Sequence, residues 1–155
     1  MQIETKYAGR VDVNESDIIT FDSGLPGFDN ERRFVILPFT EESPFFILQS
    51  VETARLAFVV MEPFFVFKEY DFELDDKVIT SLKIKSEKDV SVFVIVTVSD
   101  PFAESTANLQ APLIINQRKK YGKQIILNDS RYHTKHRLSL EKTAVEKRGG
   151  PTCSY

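Results

Sequence analysis

Residues 90–99 read Val-Ser-Val-Phe-Val-Ile-Val-Thr-Val-Ser, and this stretch decides the fold class. β-Branched and aromatic side chains favour extended backbone, so a run of this length without glycine or proline predicts a long β-strand. Similar but shorter runs lie at 34–39, 45–50, 56–61 and 113–116. Because they are almost continuously apolar, they are typical of strands buried on both faces. The sequence therefore predicts a mainly β fold, a compact antiparallel β-barrel-like or sandwich domain.

Turn signals separate these runs. In residues 25–28, Leu-Pro-Gly-Phe, Pro26 presets its φ for the first central position of a turn and Gly27 supplies the positive φ that a type II turn requires. Residues 119–122, Lys-Lys-Tyr-Gly, predict a hairpin turn that leads into a further strand at 124–127. Residues 12–16 predict another turn near the N-terminus, between short strands.

One short helix is predicted, near residues 75–84. Asp75 is placed to cap the amide groups of its first turn, and Val78, Ile79 and Leu82 follow at a spacing of three to four. The helix is expected to have about two to three turns.

Length and composition predict one domain. The chain has 155 residues with 42% hydrophobic and 12% aromatic content, enough for one core over residues 1–140. Residues 141–155 are polar, which predicts a flexible C-terminal tail. Cys153 is the only cysteine, so no intrachain disulfide can form and a reducing compartment is implied. No signal-peptide pattern or membrane-length apolar run is found, and a cytoplasmic location is expected.

Charge is unevenly distributed along the chain, although the net charge is only -3. Residues 62–76 contain one basic residue, Lys68, and six acidic ones, which are Glu62, Glu69, Asp71, Glu73, Asp75 and Asp76. Residues 117–137 have seven basic residues and only Asp129 as an acid. These two regions of opposite charge could face two different partners, or both could be solvated surfaces that only maintain solubility.

No catalytic, metal or nucleotide motif is found. His133 and His136 have neither an HExxH pattern nor a cysteine pair beside them, and the glycines form no phosphate-binding loop. A carboxylate pair among Glu62, Glu69 and Asp71 would need burial to become an acid/base pair, and the dense acidic run favours a solvated surface instead. We expect no enzyme, no cofactor and no metal site, with a small β-barrel enzyme as one alternative.

The second alternative is an RNA-binding module. Residues 118–123, Arg-Lys-Lys-Tyr-Gly-Lys, form a basic turn with one aromatic side chain that could stack on a base. Nucleic-acid-binding domains usually have a net positive charge, and the acidic region would repel a phosphate backbone. We therefore expect no direct nucleic-acid binding.

Four blocks of sequence are more specific than a general secondary-structure pattern. They lie at 21–28 (Phe-Asp-Ser-Gly-Leu-Pro-Gly-Phe), 58–63 (Phe-Val-Val-Met-Glu-Pro), 108–116 (Asn-Leu-Gln-Ala-Pro-Leu-Ile-Ile-Asn) and 122–127 (Gly-Lys-Gln-Ile-Ile-Leu). In this order and spacing they resemble the flagellar assembly factor FliW family, over roughly residues 1–140. The resemblance implies a barrel-like fold and a non-catalytic role in flagellar biogenesis. Members of that family bind flagellin and the RNA-binding translational regulator CsrA, and they hold CsrA away from the flagellin messenger until flagellin displaces it.

Electrostatic complementarity predicts where CsrA would bind. CsrA is basic because it binds RNA, so the acidic region is the expected contact. Strand alternation would place Glu69, Asp71 and Glu73 on one face and the neighbouring aromatic side chains on the other, unless those aromatic residues belong to the core. The predicted contact residues are Glu62, Phe64, Phe65, Glu69, Tyr70, Asp71, Phe72 and Glu73, and a second partner surface is predicted at Arg118, Lys119, Lys120 and Lys123.

The expected mode of binding is contact outside the RNA groove of CsrA. Irregularly spaced acids interrupted by aromatic side chains are a poor copy of a phosphate backbone, whereas the aromatics suit an apolar anchor. The protein is expected to be a monomer when free and to have no membrane partner.

Overall fold

A computed structural model describes residues 1–39 and 43–138. The elements within these ranges are β1 (Gln2–Thr5), β2 (Gly9–Asp12), β3 (Ile19–Thr20), β4 (Arg33–Pro38), β5 (Phe45–Ser50), β6 (Ala57–Met61), α1 (Asp76–Ser81), β7 (Val90–Thr97), β8 (Thr106–Ala107), β9 (Leu113–Asn116), β10 (Tyr121–Gln124) and β11 (His136–Arg137). The predicted tail, residues 141–155, lies outside the described residues.

Seven strands close into a β-barrel, in the order β7-β6-β5-β4-β3-β10-β9 and back to β7. The long strand β7 allows this closure because its first half, Val90–Phe93, pairs with β9, and its second half pairs with β6. The sequence prediction of a barrel-like, mainly β fold is confirmed.

One junction of the barrel differs from the predicted antiparallel arrangement. β3 and β10 run parallel, with Tyr121 opposite Thr20 and the Thr20 N–H donating to Lys120 O at 2.9 Å. Strands that follow each other through a tight turn must be antiparallel, but these two are about one hundred residues apart in the chain. No local turn fixes their relative direction.

Aromatic and aliphatic side chains fill the barrel. Phe21 and Phe34 are fully buried and meet edge to face, with ring centroids 5.6 Å apart. Leu48, Val60 and Leu113 from three further parts of the barrel are also fully buried against them. Removing any one of these side chains would leave a cavity of several methylene groups in a close-packed interior.

The predicted tight turn is present, and so is the predicted helix, although α1 covers only Asp76–Ser81 instead of 75–84. It ends early because Lys83 adopts a left-handed φ of +56°. Phe28 N–H donates to Leu25 O at 2.7 Å, and Gly27 has a φ of +85°, as a type II turn requires. The side chain of Asp75 accepts a hydrogen bond from Val78 N–H at 3.0 Å and caps α1.

Two further boundaries differ from the sequence prediction. Residues 9–12 form β2, paired with β1 in a separate hairpin, although residue 12 was expected to begin a turn. The second hairpin turn lies at 117–120, so β10 covers Tyr121–Gln124 instead of the predicted 124–127. The cause is the side chain of Asn116, whose Oδ1 accepts from the N–H groups of residues 118 and 119 at 3.0 Å and closes the turn early.

Candidate protein-binding surface

The acidic segment 62–76 packs outside the barrel interior, between β6 and α1. Near its start, Pro63–Phe65 form one 3₁₀ turn, and residues 70–75 belong to no helix or strand. Side chains along it alternate between solvent and the protein. The exposed ones are Glu69, Asp71 and Glu73, and the covered ones are Tyr70, which is buried, and Phe72, which is half-buried. The two-faced arrangement that strand alternation predicts is therefore present, in an unpaired segment.

Tyr70 fixes the middle of this segment to the core. Its side chain is 5% exposed, its hydroxyl donates to Leu109 O at 2.6 Å, and its ring lies 4.7 Å from that of Tyr132. Burial raises the pKa of Tyr70, and the neighbouring Tyr132 raises it further, so the hydroxyl remains a neutral donor. Among the predicted contact residues, Tyr70 is thus a packing residue of the core.

Tyr132, which is also buried, holds the backbone of the same segment. Its hydroxyl accepts from Asp71 N–H at 3.0 Å and donates to Asp71 O at 3.2 Å. One side chain thereby replaces the two hydrogen bonds that a neighbouring strand would make. Sequence reasoning did not identify Tyr132 as part of this surface, because 61 residues separate it from Asp71 and no motif links them.

A cleft of about 550 Å³ opens between the acidic segment, α1 and the start of β7. Its walls include the apolar side chains Phe64, Phe72, Leu74, Ile79, Ile84, Val90 and Val92, with the acids Asp71, Glu73 and Glu87 among them. Phe64 is 46% exposed, and Phe65 next to it is 62% exposed. An apolar cleft with carboxylates beside it suits a basic protein that inserts an apolar side chain.

The carboxylates of this surface are exposed, although Asp71 lies close enough to Arg131 to add to the rise in the Arg131 pKa that Asp129 causes. Within the described ranges, Glu69, Asp71 and Glu73 form no ion pair, whereas Glu4 and Glu52 each pair with an arginine. Two of the predicted acids do not line the cleft: Glu69 is exposed beside it, and Glu62 is half-buried.

A loop at 129–136 supports Tyr132. The side chain of Arg131 donates three hydrogen bonds to the carboxylate of Asp129, the shortest at 2.7 Å, and the Arg131 N–H donates a fourth at 2.9 Å. These bonds hold the pKa of Asp129 at about 2. His136 Nε2 accepts from the N–H of His133 at 2.8 Å, and burial lowers the pKa of His136. In the part of the chain that the structure describes, no three His, Cys, Asp or Glu side chains are grouped to hold a metal ion.

The four basic residues of the predicted second surface differ in exposure and in partners. Arg118 makes an ion pair with Asp89 at 3.3 Å, and Lys119 is exposed on the turn. Lys120 and Lys123 are half-buried, and Lys123 lines a different, small depression beside β3. Lys119 and Lys123 therefore line different depressions.

The sequence blocks that carry the family resemblance contain residues that stabilise the barrel fold. Asn108 Oδ1 accepts from the N–H groups of Gln110 and Ala111, both at 3.1 Å, and shapes the entry to β9. A Cβ on Gly122 would lie 2.6 Å from Phe21 Cζ, so only glycine lets β10 approach this buried ring. Residues from two separate blocks are thus in direct contact where the barrel closes.

No helix within the described ranges is both long and apolar enough to cross a membrane.

Fold and surface together define a small β-barrel protein with an outer apolar cleft that has carboxylates among its walls. The sequence profile described as FliW protein matches residues 2–138. The flagellar assembly factor FliW of Geobacillus kaustophilus is 54% identical over 144 residues, covering 93% of this chain and 99% of that protein. FliW of Bacillus subtilis is 49% identical over 141 residues, covering 91% and 99%.

A solved structure agrees with these relatives. The crystal structure of a flagellar assembly factor FliW superposes with a TM-score of 0.84 at 51% identity and covers 89% of this chain and 96% of that one. The chain belongs to the FliW family of flagellar assembly factors. The resemblance predicted from the four sequence blocks is confirmed.

Proposed function

We propose that this protein binds the translational regulator CsrA through its acidic cleft and also binds flagellin, so that flagellin translation follows the flagellin level. The observation that supports this most directly is the alternation along residues 69–73, where unpaired exposed carboxylates lie on a backbone anchored by buried tyrosines. A basic partner meets a preorganised acidic surface, which lowers the entropic cost of binding. The protein acts by binding alone, without catalysis, in the cytoplasm and as a monomer when free.

The proposed contact lies outside the RNA groove of CsrA. Phe64 and Phe65 are exposed, and Phe64 lines the cleft, so an apolar anchor accompanies the carboxylates. An apolar anchor has no counterpart in a phosphate backbone, which supports contact with a protein surface rather than mimicry of RNA. RNA binding is then weakened by coupling or by charge repulsion.

Charge reversal tests the site. The variant Glu69→Lys/Asp71→Lys/Glu73→Lys is expected to weaken CsrA binding by at least about tenfold at low salt and to flatten its salt dependence. The matched control changes the charge equally elsewhere, in Asp12→Lys/Glu15→Lys/Asp17→Lys, where the three acids are also exposed. Isothermal titration calorimetry measures both, and equal affinity of the two variants for CsrA would exclude the cleft as the contact.

A second titration separates coupling from competition. Coupling is reciprocal, so saturating RNA raises the apparent Kd of this protein for CsrA only to a plateau. Direct competition raises the apparent Kd without limit. Titrations at increasing concentrations of a CsrA-binding RNA distinguish the two, and a linear rise with no plateau contradicts contact outside the groove.

A further inference from the structure

A second groove lies beside α1, next to the acidic cleft. It has a volume of about 390 Å³. Three lysines, one hydroxyl and two apolar side chains line it, which are Lys83, Lys85, Lys119, Thr80, Ile79 and Ile84. The loop after α1 supplies Lys83 and Lys85, whereas Lys119 comes from the turn between β9 and β10.

One buried amide joins the two loops that form this groove. Asn116 is fully buried, and its Nδ2 donates to Leu82 O at 2.8 Å and to Lys83 O at 3.1 Å. Its Oδ1 accepts from the N–H groups of residues 118 and 119 at 3.0 Å. The lysines of two segments that are distant in sequence are therefore held at fixed positions relative to each other.

The backbone of both loops adopts an uncommon conformation for a lysine. Lys83 has a φ of +56° and Lys120 a φ of +62°, in the left-handed region that residues with a Cβ rarely occupy. Such conformations persist only where the surrounding structure enforces them, and they are concentrated at functional sites. Here Asn116 holds the Lys83 carbonyl in place, so the conformation belongs to the same built unit.

The positive charge of the groove is not neutralised within the described residues. No carboxylate forms an ion pair with Lys83, Lys85 or Lys119 there, whereas neighbouring Arg118 is paired with Asp89. Lys83 is held over the ring of Tyr121, with Nζ 5.7 Å from the ring centroid. An anionic ligand would therefore supply the ion-pair partner that these ammonium groups lack within the described residues.

We propose that this groove binds an acidic peptide segment of a partner protein. An apolar side chain of the peptide packs on Ile79 and Ile84, and its carboxylates pair with Lys83, Lys85 and Lys119. A nucleic acid fits less well, because Ile79 and Ile84 also line the acidic cleft, where Glu73 and Glu87 would repel a continuous phosphate chain. A short peptide can place its acidic residues at the lysines alone and present no negative charge to Glu73 and Glu87.

Fluorescence anisotropy tests the proposal on the full chain. The probe is a short fluorescein-labelled peptide in which glutamates flank two leucines, and we expect binding that weakens as salt increases. In the double variant Lys85→Gln/Lys119→Gln the affinity should fall by at least about tenfold, the scale of losing two charge-assisted contacts. Lys83 and Asn116 are unchanged in this variant, so the two loops stay joined.

Three controls test the proposal: a matched lysine variant, a peptide without glutamate, and an RNA of the same length as the peptide. The variant Lys6→Gln/Lys135→Gln removes equal charge from exposed positions elsewhere and should bind the peptide as the unchanged protein does. A peptide with glutamine in place of glutamate should bind at least about tenfold more weakly. The proposal is wrong if the acidic peptide fails to bind at millimolar concentration, if both lysine variants lose affinity equally, or if an oligouridylate of the same length binds more tightly.

Discussion

Replacing Asn116 by alanine should destabilise the whole domain, because this one side chain makes four hydrogen bonds to two loops. The bond to Leu82 O is fully buried and the other three are partly buried. A net value of about 1 kcal/mol for each bond gives an upper figure near 4 kcal/mol. Water can reach the partly buried groups in the variant, which lowers the expected loss to about 2 to 4 kcal/mol.

Thermal and urea unfolding measure this loss. At about 3 °C for each kcal/mol, a domain of this size should melt about 6 to 12 °C lower. The matched control is Asn128→Ala, the same substitution at an exposed position, with an expected change within about 0.5 kcal/mol. A loss below about 1 kcal/mol for Asn116→Ala, or equal melting of the two variants, would refute the view that this amide joins the loops.

Three further predictions concern single positions. Gly27→Val should cost about 1 to 3 kcal/mol, since a β-branched residue is forced to a positive φ, while Pro26→Ala should cost little; equal melting temperatures would contradict the type II turn. Gly122→Ala should cost about 1 to 3 kcal/mol by overpacking against Phe21, and unchanged melting would show that the ring can move. Because the pKa of His136 is lowered in the folded protein, the unfolded chain binds more protons than the folded one as the pH drops below 6.5, and the free energy of unfolding falls. The variant His136→Gln should remove that fall. An unchanged dependence of stability on pH in this variant would contradict the assignment to His136.

The parts of the fold that could be predicted are those that short stretches of sequence determine. The run at 90–99, the Pro-Gly turn at 26–27 and the cap at Asp75 each depend on neighbouring residues, and all three are present. The register of β10 could not be predicted, because Asn116 shifts the turn through a side-chain contact that no turn motif describes.

The surface was predictable in charge but not in shape. Alternation along residues 69–73 follows from an extended backbone, which explains why the exposed acids were placed correctly. The cleft is formed by α1, the start of β7 and the acidic segment, so its apolar walls depend on how separate elements pack. The contact between Tyr132 and Asp71 and the meeting of Lys83 with Lys119 are non-local for the same reason.

The residues that identify the family and the residues proposed to bind partners have different physical roles. Phe21, Gly122 and Asn116 lie where the barrel closes. Gly122 leaves room for the Phe21 ring, and Asn116 joins two loops by hydrogen bonds. The carboxylates of Glu69, Asp71 and Glu73 make no hydrogen bond or ion pair within the described residues.

Charge reversal at these three acids should therefore change binding and leave folding intact, because their side chains support nothing in the barrel. Tyr70 and Tyr132 cannot serve in such a test. Removing the Tyr70 hydroxyl would leave the buried Leu109 carbonyl unpaired, and removing the Tyr132 hydroxyl would release the backbone of Asp71. If either tyrosine variant lost CsrA binding, the loss could result from a changed fold as well as from a changed surface. The same loss in the charge-reversed variant reports on the surface alone.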